Sequence, residues 1–359
     1  MVSQRHLEVL SETTVVDSDV HVDIPVEAVA ERMDEPYRTR TLNGFCYPKT
    51  TGSPWDNTVY GKIQKRSLES PDEVREVLQE QFMIDYPIVN SIKNLGRMAD
   101  STLAAELMPA YNDVLVERFL DDTDFYGLAS VAQQKPARAA EEIDRIGSEK
   151  QIVGLFVFNS TPYAPLGDPQ YDPIYRAAED NGLTVAFHGG AAGGFPAQFP
   201  MQNAQVESFF EVHALVHLWS QTLTVVSLIK NGVPEKFPDL NFVLLESGVA
   251  WAPYMMWRLN KEYSIRRSEA PLLRKSPEKY LRDQFYWGSQ PLGEPDDPSK
   301  LQLVIDALGT DSMMFATDYP HWDFDSPETL AAYLRNTLST EQREQLLHET
   351  PAEAFHLPV

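Results

Sequence analysis

The chain has 359 residues, 43% of them hydrophobic, enough for one large core or for two ordinary domains. Its 53 acidic and 30 basic residues leave a net charge of −23. A surface of that sign repels nucleic acid and anionic membrane, so neither is expected as a partner. Cys46 is the single cysteine, which rules out a disulfide within the chain, and no apolar run approaches the roughly 20 residues of a membrane span. The stretch MVSQRHLEVLSETTVVDSD lacks the basic start and unbroken apolar core of a signal peptide, so the protein is expected in the cytoplasm. The excess acid fits an ordinary acidic enzyme and equally a protein adapted to a salt-rich cytoplasm, where strong negative charge is screened.

Short β-rich runs alternate with helical segments along the whole chain, the pattern of repeated βαβ units. The first run is TTVVDSDVHV (13–22). Residues 26–79, with YPKTTGSPWDNTVYG, show little periodicity and read as a long insertion after strand one, able to fold over a barrel mouth. EQFMIDYPIV (80–89) is the second strand-like run. DSTLAAELMPAYNDVLVERFLDD then predicts a helix, with Asp100 and Ser101 as candidate N-caps and an apolar residue every three to four positions. FYGLASVAQ (125–133) and IVGLFVFN (152–159) flank the helical KPARAAEEIDRIGSE. The helical YDPIYRAAEDNG, closed by Asn181–Gly182, leads into LTVAFHGG (183–190). The segment 191–212 has no readable motif. NFVLLESG (241–248), DQFYWGS (283–289) and SMMFATDYP (312–320) complete the series. Between the sixth and seventh runs, Trp251, Tyr254, Trp257 and Arg258 start an amphipathic helix whose aromatics are expected in the core.

Most of these strands are near-continuously apolar, as a parallel sheet covered on its outer face requires. Eight units without a linker or repeat predict an α/β fold: one (β/α)8 TIM-type barrel domain spanning 1–359. Barrel active sites are built at the C-terminal ends of the strands. Asp19 and His21, two apart at the end of strand one, share a face. His188 ends strand five before Gly189–Gly190, and Asp318 ends strand eight, which closure places beside strand one. Two imidazoles and two carboxylates suit one divalent cation, Zn2+, Mn2+ or Fe2+. Each has a plainer reading: a strand-end histidine is often structural, and an Asp in T-D-Y-P or at position 19 often caps a turn. The argument rests on all four meeting in one barrel. Glu246, ending strand six, lies on the same rim, and His321 and Asp323 are candidates for substrate contacts or for supporting the ligands.

The motifs D-S-D-V-H-V, Y-D-P-I-Y-R-A-A-E-D-N-G-L-T-V-A-F-H-G-G and A-T-D-Y-P-H-W-D, with the stretch 217–260, resemble the amidohydrolase-related family over about residues 13–350. More narrowly, they resemble its branch around aminocarboxymuconate-semialdehyde decarboxylase. The resemblance implies metal ligation by Asp19, His21, His188 and Asp318, and a catalytic histidine opening the long helix, here His217. His213, one turn earlier, competes for that role, and a buried structural histidine is the plain alternative. The resemblance also implies a small-molecule substrate and a homodimer. Two departures stand out. The strand-one pattern is D-x-H where H-x-H is usual, which adds negative charge and favours a harder ion such as Mn2+ over Zn2+. The family's H-P-x-E is H-L-W-S, with Ser220 where the glutamate would stand.

Two reactions are compatible with such a site. One is hydrolysis of a small carboxylic-acid derivative (amide, ester, lactone or thioester) by metal-activated water, with His217, Asp318 and Glu246 as catalytic groups and His321 binding substrate. The other is non-oxidative decarboxylation of an aromatic or unsaturated acid. Ser220, which cannot relay a proton as a glutamate would, tips the expectation toward hydrolysis. A non-catalytic scaffold is disfavoured by the intact set of four ligands.

Overall fold

A computed structural model describes residues 10–43, 68–91, 95–98, 100–159, 164–189, 209–293, 295–321 and 324–359. Eight strands form one parallel sheet in the order β1 to β8, with helices between them, as a (β/α)8 barrel requires. They are β1 (Val16–Val22), β2 (Tyr86–Ser91), β3 (Tyr126–Ser130), β4 (Ile152–Phe158), β5 (Thr184–His188), β6 (Phe242–Leu245), β7 (Phe285–Gly288) and β8 (Met313–Met314). One main helix follows each strand: α1 (Pro71–Val74), α2 (Ser101–Leu115), α3 (Pro136–Ile146), α4 (Asp172–Asp180), α5 (Phe209–Lys230), α6 (Ala252–Arg266), α7 (Ser299–Leu308) and α8 (Pro327–Thr337). Asp100 is the cap of α2, its carboxylate accepting from Thr102 N–H and Leu103 N–H, and Gly182 takes the left-handed turn (φ 65°) that ends α4's connection. Among the described residues, no helix is long and apolar enough to cross a membrane.

The sheet separates two apolar layers. Leu155 and Val157 of β4 pack outward against the helices, whereas Phe156 and Phe158 point inward with Ile88, Leu128, Ala186, Val243, Leu245 and Met314. Phe355 and Leu357 join this inner cluster, and the Ala354 carbonyl accepts from Thr184 Oγ1 (2.5 Å) and Asn241 Nδ2 (3.1 Å). The C-terminal segment therefore plugs one end of the barrel, and the polar chemistry collects at the other.

Closure between β8 and β1 is made with few ladder bonds. Val20 and Tyr319 form a single parallel bridge, and Ser18 N–H and Oγ both donate to the Phe315 carbonyl. Asp17, fully buried, accepts from Thr317 N–H (3.0 Å), Thr317 Oγ1 (2.6 Å) and Asp19 N–H (3.2 Å). Burial pushes the Asp17 carboxyl up to about 7, against the pull of those donors. The clamp stands directly beneath Asp318 and Asp19.

Three expectations are corrected in detail. Strand two starts at Tyr86, not at residue 80, because Arg75–Gln81 continues the first helix as a wide turn that buries Val77 and Leu78; it also runs on to Ser91. The ladder of strand eight covers Met313–Met314 alone, since residues 315–319 bond singly to β1. Tyr254 and Trp257 are 61% and 57% exposed, and of the three aromatics expected in the core only Trp251 turns inward, its ring 5.1 Å from that of Trp287. Of the insertion expected over 26–79, residues 44–67 lie outside the described residues; the rest holds the short helices Val26–Ala30 and Tyr37–Leu42 and the α1 segment.

Thr317→Val keeps the shape of this side chain but removes a hydroxyl donor from a buried carboxylate. It should lower unfolding free energy by about 1.5–3 kcal/mol, read by denaturant unfolding of the metal-free protein.

Candidate metal centre

Alternation along β1 points Asp19 and His21 to one side, into the barrel's polar end. His188 is the last residue of β5. Asp318 lies four residues beyond β8 and returns to β1 through Asp318 N–H donating to the Asp19 carbonyl at 3.0 Å. All four are buried, and one ligand atom from each falls within 4.8 Å of the others. His21 Nε2 is 2.8 Å from Asp318 Oδ1, and His188 Nε2 is 3.4 Å from Asp19 Oδ2.

The residues fit a divalent cation on two grounds. The two Nε2 atoms approach to 3.3 Å, while each Nδ1 faces a carbonyl: His21 Nδ1 is 2.7 Å from Asn90 Oδ1, and His188 Nδ1 is 2.5 Å from the Gly189 oxygen. With each Nδ1 turned to a carbonyl oxygen, the two Nε2 atoms are the ring atoms left to face a shared cation. Asp19 Oδ2, also facing this point, is buried without a hydrogen-bond partner. The electrostatics agree. Burial would push His188 down, but the carboxylates of Asp19, Glu246 and Asp318 override it and carry its pKa up to about 10. Burial would likewise raise Asp19, yet His188 and His21 hold it below the usual carboxylate range. Both shifts show the buried carboxylates drawing positive charge onto the imidazoles.

Glu246 follows β6 directly, and its Oε2 is 3.2 Å from His217 Nδ1 and 3.3 Å from His188 Nδ1. Burial would raise this carboxyl; His217 and His188 hold it well below the ordinary range. His217 does not open α5 but is its ninth residue. Ser220 is turned away from the site, its hydroxyl donating to the carbonyls of Val216 (2.9 Å) and His217 (3.0 Å). His321 Nδ1 is 2.7 Å from Asp318 Oδ1, and its ring centroid is 4.5 Å from that of His21. Glu246, Asp318 and His321 also offer ligand atoms within 4.8 Å of one another. His213 stacks edge-on against His217 at 5.7 Å but belongs to neither ligand group. Asp323 lies outside the described residues.

Sequence reasoning missed two further residues. Asn90, in β2, bridges His21 and Asp19. Gln221, one helical turn after His217 and fully buried, donates to the carbonyls of Phe187 (2.7 Å) and Leu245 (2.8 Å). It staples α5 across the ends of β5 and β6, which sets His217 above Glu246. Neither residue has a motif; a buried polar residue in an apolar run is the one signal each carries.

Residues 85–357 match the amidohydrolase family (Amidohydro_2). The chain is 27% identical over 298 residues to a gamma-resorcylate decarboxylase of Polaromonas sp. strain JS666, covering 78% of this chain and 85% of that protein. It is 20% identical over 269 residues to a 2-amino-3-carboxymuconate-6-semialdehyde decarboxylase of Dictyostelium discoideum, covering 74% and 70%. Among solved structures, it is similar to a dihydroxybenzoic acid decarboxylase from Polaromonas sp. JS666 with bound manganese and the inhibitor 2-nitroresorcinol (TM-score 0.71, 20% identity, 97% and 98% coverage). These relatives overturn the expectation of hydrolysis, for they are decarboxylases. The physical ground for that expectation also falls. A glutamate does stand at His217, delivered by β6 rather than by the helix that carries Ser220.

His188→Ala and Asp318→Ala should each reduce bound metal from one equivalent to trace, because a tetrad loses much of its affinity with any ligand. The barrel should persist, since its core residues, each contributing about 1.5–3 kcal/mol on burial, are untouched. Elemental analysis read beside far-ultraviolet circular dichroism checks both halves.

Proposed function

The chain belongs to the amidohydrolase family, in the branch around aminocarboxymuconate-semialdehyde decarboxylase, and from that premise we propose a metal-dependent carboxy-lyase that removes CO2 without oxidation from an aromatic or unsaturated carboxylic acid. The observation that carries the reading is the His217–Glu246 contact of 3.2 Å beside the four ligands. Loss of CO2 breaks the bond between carbon and carboxylate and leaves the electron pair on carbon, so a proton must be delivered there. A histidine backed by a carboxylate is suited to that delivery.

Asp19, His21, His188 and Asp318 would hold the ion, and two hard carboxylates favour Mn2+, the metal bound in the dihydroxybenzoic acid decarboxylase structure. When bound, it would act as a Lewis acid that draws in and orients an anionic substrate. His217 is the proton donor in this reading. Glu246, in charge contact with Nδ1 at 3.2 Å, offsets the charge of the protonated imidazole. Asp318 Oδ1 is also 2.7 Å from His321 Nδ1, so it doubles as a proton-handling carboxylate toward His321, which is placed to contact substrate. The Phe156 and Phe158 rings, 4.9 and 5.6 Å from the His188 ring, wedge that ligand and exclude water beneath it.

Turnover of a hydroxybenzoate panel that includes gamma-resorcylate tests this, run in D2O. The expected product has lost CO2 and carries one deuterium at the vacated carbon. Label from 18O-water entering a product carboxylate, with no CO2 released, would overturn the proposal. His217→Asn should lower kcat by about 10²–10⁴-fold, and Glu246→Gln should lower kcat more than it changes KM.

A further inference from the structure

We propose that Asn90 fixes both strand-one ligands: it holds His21 in the tautomer that ligates through Nε2, and it turns Asp19 so that Oδ2 faces the ion. The inference rests on the four-ligand site, not on the reaction assigned to it. Asn90 is fully buried in β2, paired in parallel register with His21 of β1. Its Oδ1 is 2.7 Å from His21 Nδ1, and its Nδ2 donates to Asp19 Oδ1 at 3.0 Å.

The polarity of this bridge is set by chemistry. An ionised carboxylate can only accept, so the amide NH2 must face Asp19, and the amide oxygen is thereby left to face His21. That oxygen can only accept in turn, so His21 carries its proton on Nδ1. In the neutral ring the lone pair is then on Nε2, the atom 2.8 Å from Asp318 Oδ1 and 3.3 Å from His188 Nε2. On Asp19 the same bond occupies Oδ1 and leaves Oδ2, the buried atom without a hydrogen-bond partner. One side chain thus decides which nitrogen and which oxygen strand one presents. Alanine at 90 would free both, whereas aspartate would keep an acceptor for His21 and set a carboxylate against Asp19. Groups that orient metal ligands in this way typically change affinity about 10–100-fold when removed.

Two measurements test the role without turnover. Mn2+ affinity, by competition with a chromophoric chelator, should weaken about 10–100-fold in Asn90→Ala. Imidazole 15N spectra of Zn2+-loaded wild-type protein should show His21 protonated at Nδ1 and metal-bound at Nε2, a pattern that Asn90→Asp retains. Mn2+ affinity within twofold of wild type in Asn90→Ala overturns the proposal, as does a wild-type His21 protonated at Nε2. If Asn90→Ala does not fold, the wild-type spectrum decides alone. Absence of decarboxylation with every acid tried would leave these readouts in place, so the two proposals fail separately.

Discussion

A carboxylate taken out of water costs several kcal/mol unless positive charge or hydrogen-bond donors replace the water it loses. This barrel buries Asp19, Asp318 and Glu246 around His21 and His188, with His217 and His321 beside them. Among the described residues, the side-chain donors that face them are Asn90 for Asp19, Gln290 for Asp318, and the imidazoles. Several features of the rim follow from that concentration of carboxylates. His188 is driven toward the charged form, and Asp19 keeps an oxygen without a hydrogen bond. A single divalent ion relieves both at once.

The scaffold keeps this cost away from the parts that hold the fold together. The inner apolar cluster and the C-terminal plug occupy the far end of the barrel, and between them and the ligands lies the Asp17–Thr317 clamp. Asp17 is the same residue type as Asp19 on the same strand and is just as buried, yet the outcome is opposite. Three donors satisfy Asp17 and make it a structural joint between β1 and β8. Among the described residues, Asn90 alone donates a side-chain hydrogen bond to Asp19, and its other oxygen has none.

How much of this was readable in the sequence depends on whether the cause lay along the chain or across it. All eight strands overlap the apolar runs, because a parallel sheet buried on both faces needs such runs and little else in the chain supplies them. That Asp19, His21, His188 and Asp318 converge was readable because strand ends in a barrel meet by construction. The start of strand two was misjudged because EQFMIDY is as apolar as a strand while serving as a helix end, and with its far end set at 89 the run stopped one residue short of Asn90. The His217 environment was half legible: Ser220 is its neighbour in sequence and carried the expectation of hydrolysis, while Glu246, readable as a rim residue able to orient His217, is the side chain found at its Nδ1. Tyr254 and Trp257 have the residue types of a core and are exposed, for no reason that the structure supplies.

The two rim carboxylates that reach histidines outside the ligand set share a backbone feature. Glu246 and Asp318 adopt φ of 52° and 63°, a left-handed conformation that costs a residue with a side chain about 1–3 kcal/mol. Glu246 follows β6 directly and Asp318 lies four residues beyond β8, and at each an extended backbone would carry the side chain on along an alternating pattern. The left-handed turn breaks that alternation and brings Glu246 to His217 and Asp318 to His21 and His321. Asparagine or glycine would relax the backbone at either position but would remove the charge that holds the imidazoles. The strain is therefore tied to the carboxylates themselves. A glutamate on helix α5, as in the H-P-x-E pattern, would reach the histidine from within its own helix without this turn. Supplying it from β6 instead joins His217 and His188 through one carboxylate, so in the proposed reaction one group would face both the proton donor and a metal ligand.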